Sequence, residues 1–142
     1  MAILNYTTSI SCEKTISEIM KCLVSHGAMK IVTDYDGGIP CAVTFCLALN
    51  EKIVGFSLPA NYNGVLKSMQ KSKNIPRKLL TKEQAVRVSW RIIKDWVLAQ
   101  MAIVDAQLAE ISEVFLPYAI TRSGLTLFKE IQNNGMKILE TT

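Results

Sequence analysis

The chain has 142 residues, 49% apolar and 20% charged, with a net charge of +4. That length predicts one domain over residues 1–142 with a single sizeable core, and the composition excludes a disordered or fibrous chain. No run of about eighteen apolar residues exists to cross a membrane, and MAILNYTTSIS has neither the basic start nor the apolar core of a signal peptide, so a cytoplasmic protein with no membrane partner is expected.

LNYTTSI (4–10) is short, β-branched and alternating, which predicts a first strand. The next segment repeats apolar residues at three and four (Ile16, Ile19, Met20, Leu23, Val24), so it reads as a helix stopped by Gly27. Thr15 with Glu18 fits a capping box, and Ser11 fits an earlier cap. A meander follows: AMKIVTDY (28–35), a DGG turn, IPCAVTFCLAL (39–49), a turn at Asn50 and Glu51, then KIVGFSL (52–58). On the middle strand Cys41, Val43, Phe45, Leu47 and Leu49 share a bulky face, opposite Ala42, Thr44, Cys46 and Ala48. The bulky face is expected to pack on helices and the small one to meet something close, such as another subunit.

LPANYNG (58–64) opens a short helix near Val65–Gln70, and NIPRK (74–78) is an extended break at Pro76. A long helix is predicted from about Lys82 to Ile111, and a last short one over Leu125–Gln132, stopped at Asn133, Asn134 and Gly135. The order predicts an α+β fold: an antiparallel sheet of about four strands (β-α-β-β-β) packed on a long C-terminal helix plus short helices.

The long helix carries two apolar stripes. Val86, Trp90, Ile93, Val97, Met101, Val104, Leu108 and Ile111 form one; Val88, Ile92, Trp96, Ala99 and Ile103 form the other. Two stripes require cover on two sides. One cover is the sheet, the other either the C-terminal helices or a second chain. Asp105 and Glu110 are the only charges from Trp96 to Ile111, which favours a homo-oligomer interface there. On a third side Gln84, Arg87, Arg91 and Lys94 align at spacings of three and four. That line is either a solvated face, partly neutralised by Asp95, or a place for phosphates.

The wider count favours phosphates. Lys67, Lys71, Lys73, Arg77, Lys78, Lys82, Arg87, Arg91 and Lys94 face only Glu83, a net of +8 between residues 67 and 94. The rest of the chain is then −4, and segregation of that size suits a polyanionic partner. The candidate ligand-binding residues are Arg77, Arg87, Arg91 and Lys94 for phosphates, with Trp90 and Tyr62 for stacking and Asn61 for a base or ribose. Asn61, and Asn63 in the same loop, read equally well as turn formers beside Gly64, and Tyr62 as an ordinary exposed loop tyrosine.

No catalytic residues are assigned. The chain lacks GxxxxGK[ST] and GxGxxG, and His26 is its only histidine, placed to end a helix. Asp95 and Asp105 are about 15 Å apart along a helix, too far for a carboxylate pair. Cys12, Cys22, Cys41 and Cys46 form no CxxC, and Cys41 and Cys46 face opposite sides of their strand. Four free thiols, no metal and no cofactor are expected.

LPAN (58–61), NIPRK (74–78), RVSWRIIKDWVLAQMA (87–102) and VFLPY (114–118) together resemble a family of small phage and prophage proteins without an assigned activity. The resemblance spans most of the chain, and the tryptophan-containing helix is its most specific part. It implies a viral accessory protein working in a bacterial cytoplasm, and it transfers no site residue. The leading expectation is a non-catalytic protein that sequesters a nucleotide-type ligand, such as a host immune signalling nucleotide, as an anti-defence device. The alternatives are a DNA- or RNA-binding protein of phage replication or recombination, and a protein–protein inhibitor of a host defence enzyme.

Overall fold

The computed structural model describes residues 2–141. Helix α1 (Cys12–Ser25) leads into strands β1 (Met29–Asp36), β2 (Ile39–Leu49) and β3 (Lys52–Pro59). Helices α2 (Tyr62–Lys71), α3 (Lys82–Asp105), α4 (Ile111–Phe115) and α5 (Leu127–Asn133) follow, with 3-10 turns at Arg77–Leu79, Leu116–Tyr118 and Lys137–Leu139. The fold is α+β, with a three-stranded antiparallel sheet in the order β1-β2-β3.

The expected strand over residues 4–10 does not form. Asn5 takes a left-handed φ of +66°, and the Thr8 amide donates back to the Asn5 carbonyl at 3.0 Å. That turn breaks the alternation a strand needs, and asparagine tolerates it better than most residues. The Tyr6 and Thr8 carbonyls bond instead to Nε2 of buried Gln84, at 2.8 and 2.9 Å.

Ser11, not Thr15, caps α1: its Oγ accepts from the Lys14 amide at 3.2 Å. At the other end Gly27 adopts φ +99°, while the Ala28 and Gly27 amides donate to the Leu23 and Val24 carbonyls. This is the left-handed helix stop for which glycine is suited. Two-residue turns at Gly37–Gly38 and Asn50–Glu51, all with positive φ, join the strands.

The two faces of β2 separate as the alternation predicts. Val43, Phe45 and Leu47 are buried with Phe56 and Leu58 of β3, against Ile16, Ile19 and Leu23 of α1 and Val86, Trp90, Val97 and Met101 of α3. The Phe45 ring stacks on Phe56 and meets the edge of Phe115, both at 5.4 Å between centroids.

Helix α3 ends at Asp105, short of the expected Ile111. Gln107 takes φ +62°, and the Gln107 and Leu108 amides return to the Val104 and Ile103 carbonyls. This is the same kind of stop as at Gly27, built without glycine. Leu108, counted on the apolar stripe, is consequently 77% exposed, and Ile111 belongs to α4, which restarts with a Glu110–Glu113 capping box. The second stripe has a divided cover. Val88 and Ile92 pack into a smaller core with Met69 of α2, Ile75, and Ile3 and Tyr6 of the N-terminal segment. Trp96 meets Phe115 and Tyr118 edge-on, at 5.6 and 5.5 Å.

Beyond α4 the chain makes one bridge to β3, Phe56 with Ala119. The Ile120 amide donates to the Gly55 carbonyl at 2.7 Å. A Cβ at position 55 would come within 3.3 Å of Ile120 Cδ1, so the close approach uses the missing side chain. No described helix is long and apolar enough to cross a membrane.

Candidate functional site

The basic window folds into three consecutive pieces. Helix α2 turns Met69, Val65 and Leu66 inward, which leaves Lys67 and Lys71 exposed at i, i+4. Ile75 is 6% exposed and anchors the following connection, so Lys73 and Asn74 face outward on one side of it and Pro76 and Arg77 on the other. Leu79 and Leu80 pack inward from the 3-10 turn, leaving Lys78 exposed before Thr81 caps α3 through the Gln84 amide. Among the described residues no carboxylate pairs with Lys67, Lys71, Lys73, Arg77, Lys78 or Lys82 within 4.0 Å. Lys67, Lys71, Lys73, Arg77 and Lys78 therefore project an uncancelled positive field, while Lys82 shares its cleft with Glu13 and Glu83.

Within this surface Ser68, Lys71, Ser72, Lys73 and Asn74 line an open depression of about 500 Å³. It offers two ammonium groups, two hydroxyls and an amide, and no acid. The negative end of the α2 dipole opposes an anion here, but it is worth about half a charge against two whole ones. A second cleft, of about 240 Å³, lies between the starts of α1 and α3. Lys82 and Arg87 border it together with Glu13 and Glu83, so its cations are balanced.

The seven ligand candidates do not converge. Arg77 is exposed on the basic surface. Arg87 is half-buried, and its Nε and Nη2 donate to Gln84 Oε1 at 3.0 and 2.7 Å. Arg91 Nη1 donates to Glu18 Oε2 at 3.0 Å and Thr15 Oγ1 at 3.3 Å, inside the α1–α3 contact. Lys94 lies 4.0 Å from the same Glu18 oxygen and 3.5 Å from Asp95. Asp95, expected to neutralise Arg91, instead accepts from Asn5 Nδ2 at 2.9 Å. Trp90 is fully buried and its Nε1 donates to the Pro40 carbonyl at 3.1 Å, so it presents no stacking face. Asn61 caps α2 through the Gly64 amide at 3.1 Å. Tyr62 is half-buried between the two cores, with Lys82 Nζ 5.3 Å from its ring centroid.

The line Gln84–Arg87–Arg91–Lys94 thus faces the N-terminal segment and α1. The exposed cations lie earlier in the chain, on α2 and the connection. Lys71 and Lys73 are legible in the sequence as charge, but Ser68, Ser72 and Asn74 are assigned no role there. Their only signal is their position among Lys67, Lys71, Lys73 and Arg77.

A Ser25–His26–Asp105 cluster also forms, which the sequence does not reveal because Asp105 lies 79 residues from His26. His26 Nδ1 is 3.1 Å from Ser25 Oγ, and Nε2 is 2.9 Å from Asp105 Oδ1. The Ser25 hydroxyl donates to the Cys22 carbonyl at 2.8 Å, so its proton is directed at the backbone and not at the ring. This differs from the nucleophile–base hydrogen bond of a hydrolase. The cluster ties the last turn of α1 to the last residue of α3.

All four cysteines are free. Burial, reinforced by neighbouring Glu13, pushes the Cys12 thiol up despite Arg87; burial, then Asp105, does the same at Cys22. Both are poor nucleophiles at neutral pH. Among the described residues no three histidine, cysteine or acidic side chains gather to hold a metal ion. Compared with protein-family models, curated proteins and solved structures, the chain matches none of them.

Proposed function

We propose that the protein binds a phosphate-bearing ligand of nucleotide size on the basic surface formed by α2 and the connection to α3, and holds it without transforming it. The observation that carries this reading is the depression walled by Lys71, Lys73, Ser68, Ser72 and Asn74, whose cations have no carboxylate partner. Lysine ammonium groups attract phosphate oxygens as point charges, and hydroxyl and amide groups donate the hydrogen bonds that orient them. About 500 Å³ lies in the range of small-ligand sites. In the setting implied by the resemblance to phage proteins, such a site would keep a host signalling nucleotide from its receptor.

The test is calorimetric titration with mono-, di- and cyclic nucleotides against wild type and Lys71→Glu/Lys73→Glu. Both positions are exposed, so the fold is retained. The expected result is stoichiometric binding that the double variant loses. Wild type that binds none of these nucleotides ends the reading.

A second reading, a nucleic-acid backbone, is favoured by one further observation. The unpaired cations continue past the depression through Arg77 and Lys78 to Lys82. It predicts affinity that falls steeply and log-linearly with salt, and loss of about one unit of slope per lysine removed.

A further inference from the structure

The C-terminal ends of α1 and α3 meet at His26. It is the C-cap of α1, and its ring bonds to Asp105, the last residue of α3. The end of a helix carries about half a negative charge, and Asp105 adds a whole one. Neither helix has a basic residue in its last turn. Among the described residues no lysine or arginine lies within 4.0 Å of Asp105, and no second acid lies within 4.0 Å of His26. Cys22, on α1, is the other titratable group here. Burial, then Asp105, raises its thiol above the ordinary 9.0, so it stays neutral while an imidazole titrates.

Both ring nitrogens of His26 face acceptors. Nδ1 is 2.8 Å from the Cys22 carbonyl and Nε2 is 2.9 Å from Asp105 Oδ1. A carbonyl and a carboxylate only accept, and a neutral imidazole has a single N–H. The neutral ring must give up one contact, or draw the Ser25 hydroxyl to Nδ1, 3.1 Å away, and off the Cys22 carbonyl. The imidazolium donates to both at once, and it supplies the cation that two helix ends and Asp105 lack. What these contacts hold is the stop after α3. Gln107 turns there with φ +62°, a conformation costly for a residue with a side chain. The Gln107 and Leu108 amides return to the Val104 and Ile103 carbonyls. Val104, Gln107 and Leu108 also wall a cavity of about 860 Å³, opposite Leu49 and Asn50.

We infer that His26 is a proton-operated latch: charged, it pins the last turn of α3 and this cavity wall to the end of α1, and neutral, it releases them. Imidazole changes charge between about pH 5 and 8. Contacts made by the protonated form stabilise the fold while the proton is bound, and that contribution is lost as pH rises and the ring gives it up. The inference is independent of the ligand. Urea unfolding of wild type, His26→Gln, Asp105→Asn and the double variant, at pH 5.5 and 8.5, tests it as a double-mutant cycle. Because Asp105 is 66% exposed, the coupling should favour the folded state only roughly threefold at pH 5.5, and it should vanish at pH 8.5. Amide exchange gives a second measurement that needs no cycle. Corrected for the intrinsic effect of pH, the Gln107 and Leu108 amides of wild type should be about threefold better protected at pH 5.5 than at 8.5, a difference that His26→Gln abolishes. A coupling at pH 8.5 that equals or exceeds the one at pH 5.5, or wild-type protection that does not change with pH, overturns the latch.

Discussion

The ion pair between Glu18 and Arg91 decides whether the tryptophan-containing helix holds itself to the fold or offers its charge to a ligand. The contact is 3.0 Å long, and the side chains are 13% exposed at Arg91 and 33% at Glu18. A fully exposed pair would contribute about 0–1 kcal/mol, and a charge-assisted hydrogen bond shielded from water about 1.5–3 kcal/mol. With one partner a third exposed, the coupling expected between them is about 1–2 kcal/mol. Glu18→Gln alone should cost about 2 kcal/mol, because it strips the anion from Arg91 and also from Lys94, 4.0 Å away. In a chain of this size each kcal/mol moves the melting midpoint by about 3 °C. The assay is urea unfolding of wild type, Glu18→Gln, Arg91→Met and the double variant, read as a double-mutant cycle. A coupling below about 0.3 kcal/mol, within the error of additivity, would refute the reasoning and return Arg91 to the list of free cations.

Three further outcomes follow from the same geometry. Trp90→Phe removes the donor to the Pro40 carbonyl and should cost about 1–3 kcal/mol in urea unfolding with ligand affinity unchanged; lost affinity at full stability would place Trp90 in the site after all. Gln84→Ala releases the Tyr6 and Thr8 carbonyls, so amide-exchange protection over residues 2–10 should fall about tenfold, equivalent to about 1.4 kcal/mol; unchanged protection would show that the segment is held by its side chains. Hydrogen bonds from Ser123, then Thr121, hold the Glu130 carboxyl below its ordinary 4.5. Because the folded value is depressed, this clasp stabilises the C-terminal segment above the ordinary carboxylate range and is lost as pH falls through the lowered value. Carboxyl-carbon chemical shifts should therefore place the Glu130 titration below 4.5, and a midpoint at or above it would dissolve the clasp.

Local chemistry made much of the fold legible. The stop at Gly27, the Asp36–Gly37–Gly38 turn, the alternation along Val43, Phe45 and Leu47, and the period of Val86, Trp90, Val97 and Met101 each depend on residues within a few positions of one another. So the meander, α1 and most of α3 follow from the sequence. Residues 4–10 failed as a strand because their alternation had no neighbouring strand to pair with, while Gln84, 76 residues beyond Thr8, supplied the donors. Likewise Gln107 ended α3 in a conformation that no glycine announces.

The candidate site divides along the same line. Net charge is additive, so the +8 of residues 67–94 could be counted without knowing any contact. Which of those charges stays free is a question of pairing in space. Glu18 lies 73 residues before Arg91 and is brought to it only when α1 packs on α3. Trp90 looked available beside the basic stripe, yet a helix with two apolar faces is enclosed on both, and its indole went to the core. Sequence thus determined that a concentrated positive charge exists on this protein. Packing decided that Lys71, Lys73, Arg77 and Lys78 keep it while Arg91 and Lys94 do not, because burial between helices demands a counterion and exposure on α2 does not.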